Sequence, residues 1–399
     1  MTRYPPWLNE APLQQLFTAV HNAGGEVRVV GGAVRDFLLE RPVGDLDFAC
    51  TLLPDRLIEL AATQGWKAIP TGIAHGTVTL LLPGRMVEVT TLRRDVATDG
   101  RHATVAYTDN WQEDAARRDF TINAMYMDAI GTLYDYFGGK RDLKAARLRF
   151  IGDAAQRITE DGLRMLRYFR FLALLGWRAD VEALAAITQK KALVANLSGE
   201  RIQQEMHRLL EAPQPLDALK QMAECGIAPL VSNAEWGFAR LQKILDLEAQ
   251  HRLPPMPLAR LLSLVDPAAR PGMAEWIAKR WKLSRDHQKA LSYVATPVED
   301  RPTAPMVKEW LRHDARPLVT GRVLIAATDG ADAAALIGLT QSWQPPKFPI
   351  AARDLLDRGM IEGTAIGDTL RTLEKKWAES DYTLSKEALL TMHAPAPGK

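Results

Sequence analysis

Two carboxylates, Asp45 and Asp47, stand two residues apart, one short helix and one turn after the glycine pair Gly31-Gly32. On an extended segment side chains alternate with a period of two, so Asp45 and Asp47 share one face while Leu46 and Phe48 point into a core. Adjacent carboxylates repel, and a folded chain keeps them together where a cation sits between them. Magnesium, Mg2+, is the expected ion, a hard cation bound by one or two carboxylates together with substrate phosphates. The glycine pair gives those phosphates a place. Backbone without Cβ atoms lets a ligand approach closely, and the first-turn N–H groups of a following helix have no partner of their own. Arg35, in that first turn, adds a mobile cation. The combination describes a two-metal site for attack on a nucleoside triphosphate.

The elements that must position these groups are legible around them. Val27 to Val30 is a β-branched run and reads as a buried strand, Ala33 to Glu40 as a helix, and Asp45 to Ala49 as the next strand. Helical spacing covers Leu13 to Asn22 and Pro54 to Thr63, the latter with proline early, where helices accept it. Trp66 to Ile69, Thr77 to Leu82 and Met86 to Leu92 are strand-like and separated by glycine-containing turns, an antiparallel meander that completes a small mixed sheet. Glu88 interrupts the apolar strand Met86-Val87-Glu88-Val89-Thr90. It either faces solvent or stands beside the two aspartates as third metal ligand or general base. Arg93 to Val105 contains Asp99-Gly100, has neither periodicity and reads as a mobile loop. His75 and His102 lack a paired carboxylate and stay outside the candidate site.

Two further stretches carry chemistry. Arg117-Arg118-Asp119 precedes the apolar-faced Phe120-Thr121-Ile122-Asn123-Ala124-Met125, and paired arginines suit a triphosphate because each guanidinium holds two oxygens. Glu160 to Leu175 reads as one helix, apolar at Leu163, Leu166, Phe169 and Leu172, with Asp161, Arg164, Arg167 and Arg170 curling around its other side. An acidic helix start pairing with its own arginines explains that row as a surface feature. Donors and acceptors give another reading. A carboxylate only accepts and a guanidinium only donates, so an Asp–Arg pair complements the amino group and acceptor of cytosine and of adenine, and opposes the carbonyl and N–H of uracil and guanine.

On these residues the chain resembles the polymerase-β-like nucleotidyltransferases, in the branch that contains tRNA CCA-adding enzymes and bacterial poly(A) polymerases. The resemblance is carried by G-G-x-V-R-D with D-x-D, by R-R-D-F-T-I-N-A and by E-D-x-x-R. It implies a carboxylate triad completed by Glu88, and triphosphate contacts from Gly32, Arg35 and Arg118. It also implies base recognition of CTP or ATP by Asp161 and Arg164, with Arg167 and Arg170 further in the nucleotide site. The implied fold is an α+β N-terminal head, a small mixed sheet with helices, followed by an all-α neck, body and tail. The expected divisions are 1–150 for the head, where Tyr134 to Arg149 with its second Gly-Gly is the connector, 151–215 for the neck, 216–345 for the body and 346–399 for the tail. Glu200-Arg201-Ile202-Gln203-Gln204-Glu205 matches a weaker family motif and is expected to act through packing and salt bridges alone. Phe348 to Leu390 resembles the tail of class II CCA-adding enzymes, which helps hold tRNA; its glycines at 359, 363 and 367 equally suit plain turns.

Composition sets limits. With 399 residues, 47% of them apolar, and a formal net charge of +2, the chain supports several domains but offers no bulk charge signal for nucleic acid. Cys50 and Cys225 stand alone, without disulfide or zinc spacing. The proline-bearing N-terminus lacks the apolar core of a secretory signal, so a cytoplasmic location is expected. No H…H-D phosphohydrolase signature follows the neck and no long basic tail closes the sequence, so neither an attached phosphatase nor generic RNA binding is expected. The activity expected is addition of CCA, or part of it, to the 3′ end of tRNA from CTP and ATP. A poly(A) polymerase is the nearest rival, and an inactive RNA-binding homologue comes from a different class.

Overall fold

The short β-branched runs of the first third of the chain pair into one sheet. The computed structural model describes residues 4–98, 103–297, 301–331, 333–361 and 363–392, so the Asp99-Gly100 turn, His102 and the terminal stretch 394–399 lie outside the described residues. Nine strands are formed among the described residues: β1 Val27–Val30, β2 Asp47–Cys50, β3 Lys67–Gly72, β4 Thr77–Leu82, β5 Arg85–Thr91, β6 Arg93–Thr98, β7 Ala103–Tyr107, β8 Met125–Met127 and β9 Leu133–Asp135. Seven of them make a sheet in the order β3-β4-β5-β2-β1-β8-β9, and β6 pairs with β7 alone. The sheet is mixed, as expected: β2 and β5 run parallel and its other pairs antiparallel. One register row crosses four strands, with Tyr126 opposite Val30, Val30 opposite Asp47 and Asp47 opposite Glu88.

Helices cover both faces. Helix α1 (Ala11–Asn22) sets Phe17 edge-on to Phe48 at 5.9 Å, and α2 (Gly32–Leu38) follows the glycine turn. Helix α3 (Pro54–Thr63) buries Leu57 and Ala61. On the face that carries Val30, Ala49 and Tyr126, Trp111 and Ala115 of α4 (Trp111–Ala116) complete the core with Leu92 and Ile151. Helix α5 (Gly139–Lys144) starts at the second glycine pair. A Cβ on Gly139 would lie 2.3 Å from the Thr121 carbonyl oxygen, so the close approach requires glycine. Helices α6 (Ala154–Glu160), α7 (Leu163–Leu175), α8 (Val181–Lys190) and α9 (Gly199–Glu211) follow, and α7 buries Leu166, Phe169 and Leu172 as its spacing predicts.

The chain divides into two compact units, Met1–Asn233 and Ala234–Lys399. Among its described residues the second is helical, from Ala239–His251 through Lys386–Thr391. Inside it a buried ion pair joins Arg260 to Glu248, and Ile366, Leu373 and Trp377 of the helix Thr364–Glu379 pack on Leu389 and Leu390.

Three expectations change. Asp45 lies ahead of β2 because β1 ends at Val30, the partner of Asp47, and Gly31 turns the chain away with φ +74°. The alternation nevertheless continues: Leu46 and Phe48 are buried, Asp45 and Asp47 exposed. Arg93 to Val105 is not simply a loop, since 93–98 and 103–107 pair as a ribbon whose backbone bonds leave no mark in the side-chain pattern. The helix expected over 160–175 is broken. Asp161 is extended (φ −152°, ψ 106°), so α6 ends at Glu160 and α7 begins at Leu163.

The Gly139 contact gives a test. Gly139→Ala forces a methyl group against backbone and lowers stability by about 1–3 kcal/mol, the range for overpacking. Thermal unfolding of the full chain measures it; an unchanged midpoint would show that the Thr121 backbone yields freely.

Candidate active site

A cleft of about 740 Å³ opens where β1 ends and β2 begins. Nine of its lining residues are arginines and five are aspartates, so it attracts anions while keeping carboxylates of its own. Gly31, Gly32, Asp45 and Asp47 line it from the sheet; Asp161, Arg164, Arg167, Arg170, Arg201 and Arg208 line it from the helices after it.

Asp47 and Glu88 are direct neighbours across the parallel pair β2/β5. Although Asp47 is open to solvent at its edge, partial desolvation by the cleft wall raises its pKa first, then the charge of Glu88, against the pull of Arg118 and with a smaller push from Asp45. Glu88 therefore acts on Asp47 electrostatically, although it does not itself line the cleft. Among the described residues no three His, Cys, Asp or Glu side chains gather into a closed metal cage. An open pair of oxygen donors is nonetheless what a hard divalent cation takes when phosphates complete its shell.

At the glycine turn the Gly31 N–H donates to Met125 O, and the Arg35 N–H is the first of α2 to bond back, to Gly31 O at 3.0 Å. The earlier amides have no partner within the helix. Arg35 is not the mobile cation expected. Its buried guanidinium donates to both carboxylate oxygens of Asp36, at 2.9 and 2.8 Å, and to Asn123 Oδ1 at 2.7 Å. It lines the cleft as a fixed charge.

Arg118 points at the same turn: a Cβ on Gly31 would lie 3.6 Å from its Nη1. Buried Asp114 holds it, accepting from Arg118 Nη2 at 3.2 Å, Arg117 Nε at 2.8 Å and the Tyr126 hydroxyl at 2.7 Å. Asp119 is the second such anchor. It accepts from Arg167 Nη2 at 2.6 Å, Asn123 Nδ2 at 3.1 Å and the Phe120 N–H at 2.8 Å, tying α7 to the motif ahead of β8. Burial opposes ionisation of both carboxyls, yet Arg118, Arg117 and Tyr126 hold Asp114 below its ordinary pKa, and Arg167 with Asn123 does so for Asp119.

Asp161 and Arg164 both reach the cleft, but they do not pair with each other. Asp161 Oδ2 accepts from Arg201 at 2.7 Å and Oδ1 from the Leu163 N–H at 3.0 Å. Arg164 donates to Glu160 at 2.6 Å and to the carbonyls of Arg157 at 2.8 Å and Arg117 at 3.0 Å. The break at Asp161 explains the exchange, since Asp161 stands outside the helix that carries Arg164. Arg170 donates to Glu205 at 2.6 Å and lies over the Phe171 ring at 4.3 Å.

The chain is 36% identical over 378 residues to the CCA tRNA nucleotidyltransferase 1, mitochondrial, of Danio rerio, covering 92% of this chain and 86% of the relative. The chain belongs to the CCA tRNA nucleotidyltransferase family. The family model described as "Poly A polymerase head domain" matches residues 27–149, and that described as "Probable RNA and SrmB- binding site of polymerase A" matches 180–231. The fold is that of the Bacillus stearothermophilus CCA-adding enzyme solved in complex with CTP, with TM-score 0.74 and 28% identity over 96% of this chain and 97% of that one. It is likewise that of the Thermotoga maritima CCA-adding enzyme complexed with tRNA, with TM-score 0.66 and 21% identity over 98% and 96%.

Within this family member, sequence reading missed Asp114, Asp119, Asn123, Arg201, Glu205 and Arg208 as parts of the site. Two signals were present. Asp114 lies three and four residues before the arginine pair, and Arg201, Glu205 and Arg208 are spaced to share one face of a helix. Arg201 and Arg208 line the cleft, and Arg201 and Glu205 hold Asp161, Arg167 and Arg170 by salt bridges, the way the weaker motif is expected to act.

The two anchors predict a pH dependence. With folded pKa values below the unfolded ones, their stabilisation is complete above the ordinary carboxylate value of about 4 and is lost as pH falls through the depressed folded values. Asp119→Asn should be less stable than wild type at pH 7 by about 1.5–3 kcal/mol, the scale of hydrogen bonds to a charged group, and should converge on it towards pH 3. Urea unfolding from pH 3 to 7 reads this directly, and parallel curves would deny Asp119 the role.

Proposed function

We propose that this protein is a tRNA nucleotidyltransferase that adds CCA, or part of it, to tRNA 3′ ends, using CTP and ATP and releasing pyrophosphate. The observation that carries the reading is the single cleft in which Asp45 and Asp47, the Gly31-Gly32 turn, Arg118 and the Asp161/Arg164 wall meet.

The terminal hydroxyl of the tRNA attacks the α-phosphate and pyrophosphate departs. Asp45 and Asp47 fit Mg2+ as paired, mutually repelling oxygen donors. Bound there, the ion would lower the pKa of the attacking hydroxyl and neutralise charge on the leaving oxygen. Glu88, one strand away, assists as ligand or base. Gly32, Arg35 and Arg118 hold the triphosphate by backbone amides, fixed charge and directed hydrogen bonds. Asp161 accepts from the amino group of cytosine or adenine and Arg164 donates to the adjacent acceptor, while Arg167 and Arg170 keep that wall in place and add positive charge. In this reading 1–150 is the catalytic head, 151–215 the neck, 216–345 the body and 346–399 a tail that holds tRNA. Two separate buried cysteines suit the cytoplasm, and no helix among the described residues is long and apolar enough to cross a membrane. The description of the model matching 27–149 favours a second reading, a poly(A) polymerase that adds A alone.

Supplying tRNA transcripts that end before, within and after CCA, with each labelled nucleotide in turn, separates the two. CCA addition requires CTP first and stops after the final A; a polymerase extends with ATP on every end. Asp45→Ala or Asp47→Ala should abolish incorporation of both nucleotides and leave tRNA binding largely intact, and near-normal rates in either variant would end the metal assignment.

Base selection is tested at Asp161. Asp161→Ala removes an acceptor whose loss costs ~1–3 kcal/mol of discrimination, so selectivity against UTP and GTP should fall roughly ten- to a hundredfold. Competition assays with all four nucleotides measure the ratios; equal slowing of all four would reduce Asp161 to a helix-start residue.

A further inference from the structure

Tyr126 lies on β8 opposite Val30, the last strand residue before the glycine turn, and its ring is fully buried against Trp111 at 5.3 Å. Its hydroxyl is the only polar atom it brings into this apolar core, and that atom has two partners. It donates to Asp114 Oδ2 at 2.7 Å and accepts from Arg118 Nε at 3.3 Å. Arg118 Nη2 donates to the same Asp114 oxygen at 3.2 Å. Phenol, carboxylate and guanidinium thus close a ring that uses the Nε and Nη2 positions of Arg118. Nη1 is the nitrogen directed at Gly31. A guanidinium is a planar fork, so fixing one edge fixes the direction of the other.

We infer that Tyr126 is a positioning residue for nucleotide binding, its hydroxyl orienting Arg118 so that Nη1 faces the triphosphate at the Gly31-Gly32 turn. This rests on the reading of Arg118 as a triphosphate contact. Burial raises the phenol pKa, so the proton donated to Asp114 stays in place. Asp114 Oδ1 is occupied by Arg117 Nε at 2.8 Å, so the carboxylate alone does not confine Arg118 to one rotamer. The ring of Tyr126 supplies packing and its hydroxyl supplies direction, and the two are separable by removing one oxygen atom.

Tyr126→Phe in the full chain makes that separation. The hydroxyl acts on the ligand only through Arg118, so its loss is expected to carry the worth of one ordinary hydrogen bond, a roughly three- to tenfold effect. KM for CTP and for ATP should rise by that factor, and so should the inhibition constant of inorganic pyrophosphate, which probes the phosphate contacts without a base. The kcat should stay within about twofold and the KM for tRNA should not move, while the unfolding midpoint falls because buried Asp114 loses one of its donors. Tyr136→Phe is the control, because that hydroxyl accepts from Arg28 at 3.1 Å and does not touch Arg118; its constants should match wild type. In an Arg118→Ala background Tyr126→Phe should add nothing, since its effect passes through Arg118. An unchanged pyrophosphate constant in Tyr126→Phe, additivity in the double variant, or an equal rise in the KM for tRNA would overturn the inference. An unchanged pyrophosphate constant in Arg118→Ala would instead remove the triphosphate reading beneath it.

Discussion

Buried carboxylates that hold arginines in fixed directions are the constraint on which the site depends. Nine arginines around one cleft repel one another, and left to themselves they would swing into solvent. Asp114 and Asp119 are buried and accept three or more hydrogen bonds each, so both stay ionised against the cost of burial. Each then fixes a guanidinium that faces the cleft: Arg118 beside the glycine turn and Arg167 on α7. Glu205 does the same for Arg170 from α9. Half-buried pairs of this kind contribute more to preorganisation than to net stability, because desolvation consumes much of the Coulombic gain.

The second constraint is strand register. Tyr126, Val30, Asp47 and Glu88 form one row across β8, β1, β2 and β5, and directly opposed residues on neighbouring strands share a face. The row runs from the aromatic core that supports Arg118 to the carboxylates at the mouth of the cleft. A one-residue slip of β2 against β1 would turn Asp47 into the core and Phe48 outward, so the burial of Phe48 against Phe17 maintains the carboxylate geometry from the opposite face.

The third is the break at Asp161-Gly162. Had α6 and α7 been continuous, Asp161 and Arg164 would be one turn apart and would neutralise each other. With the chain extended at Asp161, its carboxylate is held by Arg201 and Arg164 is held by Glu160 and two carbonyls. Both side chains reach the cleft wall with their orientations set by third parties. A donor and an acceptor kept apart in this way are available to a base.

Local pattern was enough for much of this. The β-branched run before Gly31-Gly32, the alternation around Asp47, the proline-started α3 and the 3.6-residue spacing of α7 each reflect a preference of a few neighbouring residues, and each is found where the sequence places it. The resemblance carried by three motifs extended that reading to the family. What local pattern could not decide was partnership. Arg35 reads as a mobile cation until Asp36 and Asn123, the latter 88 residues away, immobilise it. Asp161 reads as the partner of Arg164 until Arg201, 40 residues on, takes it. Glu88 reads as a lone carboxylate in a strand until parallel pairing sets it beside Asp47. Which charge meets which depends on distances that only the packed chain defines, because an ion pair forms with whatever lies within a few ångströms and the sequence specifies neighbours along the chain, not across it.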